Sequence, residues 1–143
     1  MKTIIYYNDT GFPYSVLVAA VRSGALPAHR LPERRELKKV LGACGVGGGD
    51  AAIFNLGCGR RGEVCLALWT SGNGDMVKRI VSSFLGLFSI EDYELVEVPL
   101  RKTPLLTLGA RLVRLRVLEE VGFLLIWRCL AGLYPCLVRA AGA

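Results

Sequence analysis

The sequence predicts one α/β domain of three layers, with a mixed, mostly parallel sheet held between helices. Three observations lead there. Runs of β-favouring residues alternate with runs at helical spacing along the 143 residues. Only one pair of successive strands has no helix between its members, so one antiparallel hairpin is expected and the other neighbours need crossovers. No repeat, low-complexity stretch or long linker divides the chain, and its length suits a single domain over residues 1–143.

Thr3–Tyr7 is a short apolar run with the character of a buried first strand, closed by the turn cluster Asn8-Asp9-Thr10-Gly11-Phe12-Pro13. A nearly all-apolar helix follows from Tyr14, and Gly24 ends it. Pro27 and Pro32 constrain the connection Leu26–Pro32. Glu33–Leu41 reads as a short charged helix, acidic early and basic late, as the helix dipole favours. Gly42–Gly49 is a glycine-rich loop. Ala51–Leu56 and Glu63–Trp69 are then two strands of a hairpin, joined by Gly57-Cys58-Gly59-Arg60-Arg61-Gly62.

Asp75–Phe88 carries Met76, Val77, Ile80, Val81, Phe84, Leu85 and Phe88 at helical spacing. Glu94–Val98 is a strand. Thr103-Pro104 opens a helix to about Leu118, with proline at its first position. Its stripe of Leu105, Leu108, Leu112 and Leu115 is expected to face the core. Phe123–Arg128 reads as a fifth strand and Leu133–Ala140 as a final helix. Trp69 and Trp127 fall in these strands, where core packing is the default.

Composition narrows the function. The chain is 52% hydrophobic, which excludes disorder. Residues 1–100 hold eleven Lys and Arg against ten Asp and Glu, a net +1, whereas residues 101–143 hold seven against two, a net +5. Such a region attracts phosphates, anionic surfaces or nucleic acid when it is not merely a solvated face. Sequence-specific nucleic-acid recognition is not expected, because basic and aromatic residues do not interleave. The five cysteines form no CxxC pair, against both a disulfide framework and a zinc ribbon. No export signal is visible at the N-terminus. Val121–Val138 is apolar enough to suggest a membrane span, but the central Arg128 favours a buried strand followed by a helix, with no transmembrane segment and a cytoplasmic protein.

Familiar motifs fall away on context. Gly57–Gly62 spells GxGxxG, but a strand follows it where a dinucleotide fingerprint requires a helix. Gly45–Gly49 lacks the Gly-Lys-Ser/Thr of a phosphate-binding P-loop. His29, the only histidine, lies between two prolines with no discernible partner, and no metal set or nucleophile–base pair is present. No motif identifies a cofactor.

Two loops that precede helices hold the candidate site. In open α/β sheets, ligands bind beyond the carboxyl ends of strands, where helix N-termini offer unpaired amides. Asn8, Asp9, Thr10, Gly11 and Ser15 occupy that position after the first strand; Ser71, Gly72, Asn73 and Gly74 occupy it before the third helix. The expectation is that the two helix starts converge at one sheet edge around a small anionic ligand, a phosphate or nucleotide. Ordinary capping and turn chemistry explains the same residues without a ligand.

The run Ile4-Ile5-Tyr6-Tyr7, with Gly11, Ser15-Val16, Ala19-Ala20-Val21 and Gly24-Ala25-Leu26-Pro27, resembles a bacterial domain-of-unknown-function family, number 3189. Ser71-Gly72-Asn73-Gly74 is similar to the Gly-Asn segment that recurs in that family before a later helix. The likeness is strongest over residues 3–32, fainter over 51–88 and weak beyond. It implies a small cytoplasmic protein of Gram-positive, largely spore-forming bacteria. In the family pattern a strand ends in Cys-aromatic-Gly-Gly-x-His-Ser-Ser. Gly11 and Ser15 match its Gly and second Ser, while Asn8 stands for the Cys, Pro13 for the His, Tyr14 for the first Ser and Arg22 for a common His. An amide and a proline cannot do thiolate–imidazole chemistry. The resemblance therefore implies either a binding-only relative or a family whose loop is structural throughout, and it supplies no reaction. The alternative to ligand binding is a non-catalytic protein-interaction module, sporulation-associated by that resemblance, docking through its surface or basic C-terminal region.

Overall fold

The first strand, β1 (Thr3–Asn8), lies at the centre of the sheet, where its apolar residues are covered on both faces. In the computed structural model, which describes residues 2–9, 12–43, 52–69, 74–87, 92–98 and 104–141, the other strands are β2 (Ala52–Cys58), β3 (Val64–Trp69) and β4 (Tyr93–Glu97). Their order is β2-β3-β1-β4; β1 pairs parallel with both β3 and β4, and β2 pairs antiparallel with β3. The α/β class, the mixed sheet and its one hairpin are as expected from the sequence.

Strand alternation sends side chains to two cores. Ile4 and Tyr6 share one face with Cys65, Ala67 and Trp69, and meet α1 (Tyr14–Ser23) and the long helix α5 (Glu119–Ala140) there. Ile5, Tyr7 and Leu68 line the opposite face and meet Val81 and Leu85 of α3 (Gly74–Leu87). The second helix, α2 (Arg34–Ala43), adds Leu37 and Leu41 to the first core.

Three expectations are corrected. Phe123–Arg128 is not a fifth strand but part of α5, a continuous helix of 22 residues that runs through Pro135. Gly122, Phe123, Ile126, Leu130, Tyr134 and Leu137 form its buried side at helical spacing, and Arg128 sits on the exposed side, so the charge interrupts nothing. Among the described residues α5 is the one helix long and apolar enough to cross a membrane; a third of its apolar window is buried inside the fold. Trp127 accordingly lies on a helix, with its indole N–H donating to Pro32 O at 2.9 Å.

The helix opened by Pro104 is α4 (Pro104–Arg114), followed by a 3-10 turn, Arg116–Leu118. Its leucine stripe does not face the core. Leu106 and Gly109 are the buried positions, while Leu105, Leu108 and Leu115 face outward. The cause is the contact with α5, in which the two helices meet at glycines. A Cβ on Gly122 would lie 2.7 Å from both Gly109 O and Val113 N, backbone atoms that cannot step aside. The smallest side chains allow the closest approach, so the face of Gly109 turns inward and Leu105 and Leu108 are left outside.

That contact predicts that Gly122→Ala destabilises the fold by roughly 2–3 kcal/mol, the upper range for overpacking, read as a lowered urea midpoint. Gly132→Ala on the same helix, where a Cβ meets nothing within 4 Å, should leave the midpoint unchanged or raise it.

Candidate functional site at the carboxyl edge of the sheet

Asn8 ends β1 and Tyr14 begins α1. Pro13 stands at the N-cap position and makes no side-chain cap. Asn8, buried, serves in its place from seven residues upstream of Ser15: its Oδ1 accepts the Ser15 backbone N–H at 3.0 Å and its Nδ2 donates to Phe12 O at 2.6 Å. Ser15, also buried, donates its hydroxyl to Leu68 O of β3 at 3.0 Å. One amide and one hydroxyl thus join β1, the turn, the first turn of α1 and the neighbouring strand. Phe12 and Tyr14 lie beside them with their rings tilted at 56° and centroids 5.0 Å apart.

Asn8 is the register partner of Trp69, the last residue of β3. The carboxyl ends of two adjacent parallel strands therefore lie side by side. From them α1 passes to one face of the sheet and α3 to the other, which creates the topological switch point where α/β sheets hold ligands. Of the sequence candidates, Asn8 and Ser15 are at this edge with the bonds just described, Asp9 is half-buried beside them, and Gly74 opens α3. Thr10, Gly11, Ser71, Gly72 and Asn73 lie outside the described residues.

Sequence reading assigned Trp69 only to the core. It is 4% exposed, and its indole Nε1 is a buried donor with no hydrogen-bond partner among the described residues. The available signal was its position as the last residue of a strand feeding a candidate loop.

The family model described as "Protein of unknown function (DUF3189)" matches residues 3–141. The chain belongs to the DUF3189 family. The match extends far beyond residues 3–32, where the motif likeness is strongest. No curated protein and no solved structure matches the chain.

The opposite edge of this DUF3189 domain is a charged clamp around a cleft of about 470 Å³, lined among others by Lys2, Tyr6, Arg22, Arg61, Glu63 and Glu94. Arg22, at the end of α1, donates from Nε to Glu63 Oε1 at 2.7 Å and from Nη1 to Ala141 O at 3.1 Å. Arg61 N donates to Glu63 Oε2 at 3.0 Å. The clamp also explains the GxGxxG run. Gly57 and Gly62 have φ of 97° and 79°, and a Cβ on Gly59 would fall 2.2 Å from Glu63 Oε1. All three glycines serve the hairpin and the seat of Glu63, as the following strand implied. Among the described residues no group of three His, Cys, Asp or Glu could hold a metal, and Cys58, Cys65, Cys129 and Cys136 are free thiols. His29 is exposed.

Ser15→Ala should cost about 1 kcal/mol, the worth of one buried hydrogen bond, and Asn8→Ala roughly 2–3 kcal/mol, because it strands a buried amide and a carbonyl; chemical denaturation measures both. Glu63's own backbone N–H, then the Arg22 guanidinium, hold its carboxyl below the ordinary glutamate value of 4.5. A lowered folded-state pKa adds stability that is whole above the unfolded value and vanishes as the pH falls through the folded one. The wild type should therefore exceed Glu63→Gln in urea midpoint above about pH 4.5, with the gap closing in stronger acid.

Proposed function

We propose that this protein binds a small anionic ligand, of the phosphate or nucleotide class, at the carboxyl edge of β1 and β3. The observation that carries the reading is the Trp69 indole N–H, a buried donor without an acceptor among the described residues, at the switch point of the sheet. Leaving such a group unpaired costs on the order of 1–3 kcal/mol, and an oxygen of a phosphate or carboxylate would recover it. The two helix starts supply the positive dipole ends that favour the same charge.

Asn8 and Ser15 are in this reading the frame of the site and not its ligand contacts, since the Asn8 amide and the Ser15 N–H and hydroxyl are already engaged. Thr10, Gly11, Ser71, Gly72 and Asn73 remain the proposed contacts from the flanking loops. Among the described residues no base is paired with a nucleophile at this edge, and the proposed role is binding. The free thiols suit a reducing, cytoplasmic compartment.

Tryptophan fluorescence tests this directly. In a Trp127→Phe variant Trp69 is the sole indole, and inorganic phosphate, nucleoside mono- and diphosphates and sugar phosphates are titrated to millimolar concentration. At least one should give a saturable change in emission. Trp69→Phe, followed by calorimetry, should bind that ligand about tenfold more weakly, the worth of one hydrogen bond, while the fold persists. Flat titrations with every anion would sink the reading.

A further inference from the structure

The cleft of about 470 Å³ at the clamp edge contains more than the clamp. Ile4 and Tyr6 are alternate residues of β1, and their register partners on β4 are Glu94 and Val96. Alternation puts all four on one face of the sheet, where they line the cleft together. Ala140 and Ala141, at the carboxyl end of α5, stand beside them. Tyr6 is 3% exposed, yet its hydroxyl makes no hydrogen bond among the described residues. Nor is that oxygen sealed in, since Trp69 Nε1 is the fully buried polar side-chain atom left unpaired among them. The Tyr6 hydroxyl therefore opens on the cleft that Tyr6 lines. Burial raises the phenol above its ordinary value of 10.0, so it keeps its proton and can donate.

The two ion pairs of the lining differ. Glu63 is buried, and the Arg22–Glu63 pair is fixed by further bonds to Ala141 O and from Arg61 N. Lys2 and Glu94 meet at 3.0 Å with both side chains 52% exposed. Such a surface pair contributes little and opens readily to a competitor. Arg61, also lining the cleft, makes no ion pair among the described residues.

Charge then selects the kind of ligand. A lone anion would gain Lys2 and Arg61 but meet Glu63, Glu94 and the carbonyl end of α5, where the helix dipole is negative. A lone amine would gain those and meet three cations. A molecule with both charges satisfies both sides, with its ammonium toward Glu94 and the end of α5 and its carboxylate toward Lys2 and Arg61. Ile4, Val96 and Ala140 offer apolar surface to the rest of it.

The geometry points to a second binding site here, for a small zwitterion of the α-amino-acid class with an apolar side chain, which hydrogen-bonds to the Tyr6 hydroxyl and inserts into the Lys2–Glu94 pair. The site uses neither Trp69 nor the carboxyl-edge loops, so it does not rest on the anion reading.

Calorimetry of the full chain with L-leucine, L-valine and L-phenylalanine, at millimolar concentration, tests this. At least one should bind saturably. The matching acid without the amino group and the matching amine without the carboxylate (isocaproate and isoamylamine for leucine) should each bind at least about tenfold more weakly. Tyr6→Phe removes an oxygen that the fold does not use; it should keep the wild-type urea midpoint and lose about tenfold in affinity. Glu94→Gln, at an exposed position, should weaken binding by a similar factor and gives a second reading if Tyr6→Phe does not fold. Flat titrations with all three amino acids, equal binding of either single-charge analogue, or wild-type affinity in folded Tyr6→Phe or Glu94→Gln would overturn the proposal. So would loss of the amino acid from folded Trp69→Phe, which would move its site to the other edge.

Discussion

The Asn8 side chain is the constraint on which the arrangement at the head of the sheet depends. A helix that begins at Tyr14 behind Pro13 has no capping side chain of its own at the N-cap. Its second residue, Ser15, is buried, so the Ser15 amide cannot turn to water for a partner. Asn8 reaches forward from β1 to supply one, and its other end closes the turn on Phe12. Ser15 then passes the connection on to Leu68 of β3. These bonds fix the first turn of α1 against β1 and β3, while α3 packs on the other face through Val81 and Leu85. The Asn8 amide has a donor and an acceptor in one plane, and both are used.

The two ends of the sheet differ in how completely their polar groups are satisfied. At one end Arg22, Glu63, the hairpin amides and the end of α5 bond to one another, and Gly59 of the hairpin lets that carboxylate sit close. At the other, the indole of Trp69 is buried with a donor to spare. A satisfied cluster holds structure together, whereas an unsatisfied buried donor is a cost that the fold carries.

Much of this was legible from residue order. The strands up to β4, the helices α1 to α3, the hairpin and the dismissal of its GxGxxG all follow from periodicity and from what comes next in the chain. The C-terminal third was not legible, for two reasons. An apolar run such as Val121–Val138 is nearly continuous, so neither a period of two nor one of 3.6 stands out, and length argues better than the position of one arginine. In α4, apolar residues occupy both sides of the helix, and the larger ones suggest the core side. The contact with α5 selects the smaller ones instead, because Gly109 and Gly122 allow the backbones to meet.

By itself, then, the amino-acid order determined the class of fold, the alternation of elements, the charge asymmetry and the loops in which a ligand site should be sought, since each of these depends on neighbours in the chain. Tertiary structure alone decided which face of each helix is inward, that Asn8 and Ser15 are engaged within the fold, and that Arg22 closes on Glu63. Those outcomes depend on pairings between residues seven to more than a hundred positions apart, where close packing and the need to satisfy buried polar groups choose among patterns that are locally equivalent.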